Sequence, residues 1–304
     1  MADIDPVAVL DSLGYSAVER LEPLSGGWAN ALWRFDSADG ARHVLRVYPH
    51  PEWAPSALRE QAALQAAAEG GIPVPALEAA GTWHDLAVMV LSWCPGEPLL
   101  NALRRRPWKV WALGGACGRL QARIHAITPP QRLLEGAPEY WLTVARAGYP
   151  QLDSLIDRIG ISTASLVHFD YHPLNILTDG HTITGVVDWA TAAAGDPRAD
   201  VARTVAVLSA APLPPGPLRP VLSVVRGLLL HRWLRGYRAE AGDIGDIAPF
   251  VALTGVVYLD DFQQAIEEGR GWATERDIAT FNRWVERWKA KAGLDGGLET
   301  AQRG

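Results

Sequence analysis

The apolar pattern of this chain changes character once, at Cys94-Pro95-Gly96. Before that point short apolar runs alternate with turn-forming residues; after it, long stretches carry apolar residues at helical spacing. A chain written in two periods places a small sheet beside a larger helical body, because each kind of element must bury its own apolar face. Residues 18–24 and 31–35 flank Ser25-Gly26-Gly27-Trp28, and Ala38-Asp39-Gly40 turns the chain into His43-Val44-Leu45-Arg46-Val47-Tyr48, which predicts three antiparallel strands. Residues 56–69 contain no Gly or Pro and stop at Gly70-Gly71, which predicts a helix. Residues 86–91 add another apolar strand.

In the second part Leu113, Cys117, Leu120, Ile124 and Ile127 recur at helical spacing, so residues 108–127 are predicted helical, as are 218–238, 249–268 and 274–292. Asp196 before Pro197 has the form of a helix N-cap with proline at the first position. Between the helices lies a β-like island at residues 166–168, 176–177 and 183–187, and the proline-rich residues 211–217 read as a stiff connector. The expected fold class is α+β, with an N-terminal lobe over residues 1–93 and a helical C-terminal lobe over 94–304.

Composition narrows the function. Lys and Arg number 28 against 34 Asp and Glu, a net charge of −6, and that balance argues against a nucleic-acid partner. Two cysteines, Cys94 and Cys117, exclude a disulfide framework or a zinc quartet and favour a cytoplasmic home. Acidic residues stand where a secretory leader would be basic, and the apolar run 221–230 is interrupted by Arg226, so no membrane association is expected. The 13 tryptophans are scattered along the chain, as core packing would have them.

The segment His168-Phe169-Asp170-Tyr171-His172-Pro173-Leu174-Asn175, followed by Val186-Val187-Asp188-Trp189, is where chemistry concentrates. Asp170 and Asn175 share a loop between two apolar strands, and Asp188 ends a third. Two strands joined by the tight turn at Asp179-Gly180 bring Asn175 and Asp188 side by side, where an amide oxygen and a carboxylate can hold Mg2+. Asp170 is then left to accept a proton, a set of parts that suits phosphoryl transfer. Each residue alone reads better as a turn former, and only the set points to chemistry. His168 and His172 lack a third soft ligand and sit beside Pro173, so a zinc pair is not expected.

This segment resembles the H-x-D-x-H-x-x-N and following D-W/F of the aminoglycoside phosphotransferase and choline kinase-like family, which shares its fold with protein kinases. Leu24-Ser25-Gly26-Gly27-Trp28 is similar to its phosphate-covering turn, Val44 to Tyr48 to its third strand, Arg59-Glu60 to the acidic helix position, Leu91 to Gly96 to its hinge, and Gly195-Asp196-Pro197 with Asp200 to the segment after the metal aspartate. The resemblance implies a two-lobed kinase-like fold and an ATP- or GTP-dependent, Mg2+-requiring phosphotransferase acting on a small-molecule hydroxyl. It implies Asp170 as base, Asn175 and Asp188 as metal ligands, Arg46 on the α- and β-phosphates paired with Glu60, Ser92 and Cys94 at the purine edge, and Ser25, Gly26 and Gly27 over the phosphates.

Two positions depart from the family pattern: Arg46 stands where Lys is usual, and Phe169 where Gly is common. The acidic stretch with Asp260 and Asp261, together with His172, is the candidate acceptor contact, and an acidic face would attract an aminoglycoside-like cation. Homoserine, choline, a macrolide and a phosphorylated-sugar precursor are competing acceptors on the same chemistry. Few residues separate Asp188 from Asp196, which leaves little platform for a peptide and speaks against a protein kinase. The reading from another class is a nucleotide-binding regulatory module, towards which Arg46 alone leans.

Overall fold

A computed structural model describes residues 4–24, 31–135, 159–211, 213, 216–267 and 274–294 of the chain. A short helix, α1 (Pro6–Ser12), capped by Asp5, precedes strands β1 (Val18–Pro23), β2 (Ala31–Ser37) and β3 (Arg42–Val47). Helix α2 (Ala54–Glu69) and the hairpin of β4 (Leu77–Trp83) and β5 (Leu86–Ser92) complete this half. The five strands form one sheet in the order β1-β2-β3-β5-β4, with every neighbouring pair antiparallel. β5 is an interior strand between β3 and β4 and is buried from Leu86 to Leu91, which is why its sequence is a continuous apolar run. α2 buries Ala57, Glu60, Ala63, Leu64 and Ala67, so one carboxylate sits within an otherwise apolar stripe.

The second half opens with β6 (Glu97–Pro98) and α3 (Leu99–Arg105), then α4 (Val110–His125) and α5 (Gln131–Leu134). The β island comprises β7 (Ser165–Val167), β8 (Ile176–Thr178), β9 (Ile183–Val186) and β10 (Ala193–Gly195). β6, β8 and β9 form a three-stranded sheet, while β7 pairs with β10. Four long helices follow: α6 (Pro197–Ala210), α7 (Arg219–Ala241), α8 (Ala248–Glu267) and α9 (Glu275–Lys291). Their boundaries follow sequence signals: Asp196 caps α6 ahead of Pro197, and Thr274 with Asp277 forms a capping box on α9.

α4 and α7 cross at a glycine seam. A Cβ on Gly118 would collide with the Trp233 carbonyl oxygen, and one on Gly236 with the Gly115 carbonyl oxygen. Backbone meets backbone there, and Gln121 and His125 of α4 bond Asp200 on α6 and Trp233 and Tyr237 on α7.

Among the described residues the sequence reading missed β4, β6, β10 and the short helices α1, α3 and α5. β4 alternates poorly and is mostly exposed at the sheet edge, so its Leu-Glu-Ala-Ala-Gly-Thr-Trp carries little apolar signal. β6 and β10 are too short to show a period, and α1 spans only two turns. No helix among the described residues is long and apolar enough to cross a membrane.

Candidate active site

The loop from β7 to β8 holds His168, Asp170, His172 and Asn175, and its backbone is bonded from several directions. The Asp200 carboxylate, wholly buried near the start of α6, accepts the N–H groups of Phe169 at 2.8 Å and His168 at 3.4 Å. Thr204 Oγ1 donates to the Tyr171 carbonyl at 3.0 Å, and Thr191 Oγ1 to that of His168 at 2.8 Å. The Tyr171 hydroxyl donates to the Cys117 carbonyl on α4 at 3.0 Å. A loop tied to α4 and α6 in this way presents its side chains from a fixed frame.

His168 is fully buried and neutral, because burial drives its pKa down. Its Nδ1 accepts the Asp170 N–H at 3.2 Å, so Nε2 carries the proton and donates to the Val187 carbonyl at 3.2 Å. His168 thus links the Asp170 loop to the end of β9, a structural role and not a metal ligand.

Asp170 receives the Asn175 side-chain N–H on Oδ2 at 2.7 Å and His172 Nε2 on Oδ1 at 3.3 Å. His172 is oriented in turn by accepting the Leu174 N–H on Nδ1 at 3.2 Å. Burial would raise the Asp170 pKa, but His172, His168 and Arg203 outweigh it and bring the carboxyl down to about 2. It is ionised throughout the neutral range. Asn175 Nδ2 also donates to the Asp170 carbonyl at 3.0 Å, which leaves the amide oxygen as the open end of Asn175.

β8 and β9 pair antiparallel with Ile176 opposite Val186, and the Val187 N–H donates to the Asn175 carbonyl at 2.9 Å. Asp188 therefore follows immediately beside Asn175, as the spacing predicts. Its side chain is 44% exposed and bonds Arg46 Nη2 at 2.9 Å. Two non-glycine residues of this site have positive φ, Phe169 at 59° and Asp188 at 62°. Strain of this kind persists where the surroundings hold it, and both residues adjoin the candidate chemistry.

Arg46, on β3, is buried and uses both arms of its fork. Nη1 pairs with Glu60 Oε1 at 3.0 Å and Nη2 with Asp188. Burial would lower its pKa, but Glu60 and Asp188 outweigh that and hold the guanidinium charged. Tyr48 donates its hydroxyl to the other oxygen of Glu60. The planar fork thus spans two carboxylates that a single ammonium would serve less directionally, which gives the Arg-for-Lys departure a local physical reason.

At the hinge the Ser92 N–H donates to the Ala76 carbonyl at 2.9 Å, and Ser92 Oγ accepts the Ala76 N–H at 2.8 Å. That donor is committed to Ala76, which leaves the Ser92 carbonyl and the backbone of Cys94 as the hinge groups to consider. The Cys94 side chain is buried against Gly185. Ser25, Gly26 and Gly27 lie outside the described residues. Asp260 and Asp261 are on α8, but their side chains are likewise outside what is described.

Asn175 and Asp188 offer oxygen donors from neighbouring strands, a hard set that suits Mg2+. Among the described residues no group of three or more His, Cys, Asp or Glu could hold a metal ion. A cation held by these two oxygens would complete its shell with phosphate and water.

Sequence reasoning missed the buried network behind the loop. Asp200 also accepts from His125 Nε2 at 2.8 Å and Gln121 Nε2 at 3.3 Å; His125 Nδ1 bonds the Tyr237 hydroxyl at 2.7 Å, and Trp233 Nε1 donates to Gln121 Oε1 at 2.8 Å. The signal was present: Gln121 and His125 follow Cys117 at four-residue steps, so two polar side chains lie on the buried face of α4.

A family model described as "Phosphotransferase enzyme family" matches residues 20–241. No curated protein matches the chain. Among solved structures, the chain is similar to the amicoumacin kinase hAmiN in complex with AMP-PNP, Ca2+ and Ami, at 17% identity and a TM-score of 0.63, covering 95% of this chain and 94% of that one. It is similar to a thermostable mutant of the aminoglycoside phosphotransferase APH(4)-Ia in its apo form, at 18% identity and a TM-score of 0.60, covering 95% and 99%. The macrolide 2'-phosphotransferase MphH from Brachybacterium faecium gives 17% identity and a TM-score of 0.53, covering 97% and 98%. At these identities the likeness establishes the shared fold.

Proposed function

This chain belongs to the phosphotransferase enzyme family, and on that premise we propose that it transfers the γ-phosphate of ATP, with Mg2+, to a hydroxyl of a small molecule. The observation that carries the reading is the convergence of Asp170, Asn175 and Asp188 from one loop and one strand end, beside the Arg46–Glu60 pair. The Asn175 amide oxygen and the Asp188 carboxylate would hold Mg2+, which neutralises charge on the nucleotide phosphates when bound. Arg46 would meet those phosphates with a guanidinium already fixed by Glu60. Backbone groups of Ser92 and Cys94 would face the purine, and Ser25, Gly26 and Gly27 would cover the phosphates.

Asp170 orients the acceptor hydroxyl by accepting its hydrogen bond. A carboxyl of pKa about 2 is a weak base, so proton transfer is late, once the bond from oxygen to phosphorus has raised the acidity of the hydroxyl. AMP-PNP and ADP in solved structures of the same fold support ATP as the donor. We take the division between residues 93 and 94 as the lobe boundary. Two buried thiols outside any disulfide accord with a cytoplasmic location. Pairing of β10 with β7 fills the stretch between Asp188 and Asp196, which supports a small-molecule acceptor over a peptide.

Calorimetric titration of ATP with and without Mg2+, followed by coupled ADP release on a panel of hydroxyl acceptors, tests the proposal. Mg2+-dependent binding, lost in Asp188→Ala, together with acceptor-dependent ADP release, is the expected result. Binding indifferent to Mg2+ with no phosphate transfer would favour the regulatory-module reading.

A further inference from the structure

Arg203 is one turn beyond Asp200 on α6, and the phosphoryl-transfer roles assigned above leave it without a task. Its guanidinium lies 5.3 Å from the ring centroid of Tyr258 on α8 and 6.0 Å from that of Phe169, the residue before Asp170. The side chain is half-buried, and Nε is sealed from solvent with no hydrogen-bond partner. Among the described residues Arg59 Nε is likewise without a partner, whereas other arginines close on acceptors. Arg198, on the same helix, closes on Asp196 and the Gly160 carbonyl; Arg219 closes on Asp277; Arg46 closes on two carboxylates.

Two aromatic rings hold the Arg203 guanidinium in place from their faces, and among the described residues its Nε has no hydrogen-bond partner. A sealed N–H donor without a partner is unfavourable unless something completes it. Its charge reaches Asp170, where it helps keep the carboxyl ionised. Arg46 comes to the same loop from β3 and is already tied to Glu60 and Asp188, on the side assigned to the nucleotide. Arg203 comes from α6, with Tyr258 of α8 beside it, the helix that also carries Asp260 and Asp261.

Resting on the kinase reading, we propose that Arg203 is a specificity-determining residue that receives a carboxylate or phosphate of the acceptor. The acceptor is then a hydroxyl compound bearing negative charge, and not a polycationic amino sugar. Planar oxyanions match the guanidinium fork, and a cation beside the reacting hydroxyl repels ammonium groups.

The test uses the full chain with ATP and Mg2+ and acceptors in pairs that differ in charge: a hydroxy acid against its amide, a sugar phosphate against the parent sugar, with an amino sugar as the cationic arm. Wild-type kcat/KM is expected to favour the anionic member at least about tenfold, the scale of one charge-assisted hydrogen bond. Arg203→Met should erase that preference by raising acceptor KM, and Arg203→Lys should recover part of it. Preference for the amino sugar, an anionic preference that survives Arg203→Met, or a fall in kcat with unchanged KM would each overturn the proposal. So would failure of every anionic member to turn over or to bind, by calorimetry with AMP-PNP and Mg2+. If Arg203→Met does not fold, the wild-type pairs and Arg203→Lys decide. Missing Mg2+-dependent ATP binding overturns the kinase reading itself, whereas intact binding with charge-blind acceptor use overturns this inference alone.

Discussion

Asp170 is held by partners that the sequence places within five residues of it: His168 and His172 on either side and Asn175 ahead. That locality made the role legible. The strain at Phe169 was not, because a φ of 59° depends on how Asp200 pulls the Phe169 N–H into α6. The position suits Gly for its φ, but the Phe169 ring is buried with α6, α8 and α9. At this scale Asp170→Asn is expected to lower kcat about 10²–10⁴-fold, the usual contribution of a positioned base, with nucleotide Kd nearly unchanged. Single-turnover kinetics and calorimetry check the two halves of that statement, and an equal loss of nucleotide affinity would assign Asp170 elsewhere.

Helix α6 acts as an element by presenting Asp200 to two backbone N–H groups, Gln121 and His125. Burial would raise the Asp200 pKa, but the hydrogen bonds from His125 and Gln121 outweigh it and bring the carboxyl below the ordinary value. A native pKa below the unfolded one makes the contribution to stability complete above about pH 4 and lost as pH falls through the native value. Asp200→Asn is expected to destabilise the fold by about 3–5 kcal/mol at neutral pH, the range for breaking a buried charged pair. The gap to wild type in urea melts should stay level from pH 8 to 5 and narrow below about pH 4; a gap independent of pH would contradict the assignment. The α4–α7 seam carries a second prediction. Gly118→Ala should destabilise by about 1–3 kcal/mol or more, since the Trp233 backbone cannot yield, whereas Gly227→Ala, on α7 with open space around it, should stabilise by up to about 1 kcal/mol. Thermal melts of the pair separate packing from helix propensity. The seam went unread because its glycines look like weak helix positions until the partner helix is in place.

Across the whole molecule the two thiols report on integrity. Burial pushes Cys94, at the hinge, up to about 11 and Cys117, inside α4, higher still. Both should resist a thiol-specific reagent at pH 8 in the native state and react on unfolding, with thiolate population as the limit; fast native labelling of Cys94 would show that the hinge opens. The change of period at Cys94-Pro95-Gly96 was enough to establish a sheet beside a helical body, and the order of Arg46, Glu60, Asp170, Asn175 and Asp188 was enough to suggest the chemistry. Those signals are local: spacing, turn residues and apolar period are written in consecutive residues. The fork of Arg46 reaching Asp188, 142 residues away, the seating of Asp200 under the loop and the placement of Arg203 between two rings were decided only by tertiary structure. Each depends on which distant side chains share one low-dielectric space, and no period along the chain encodes that.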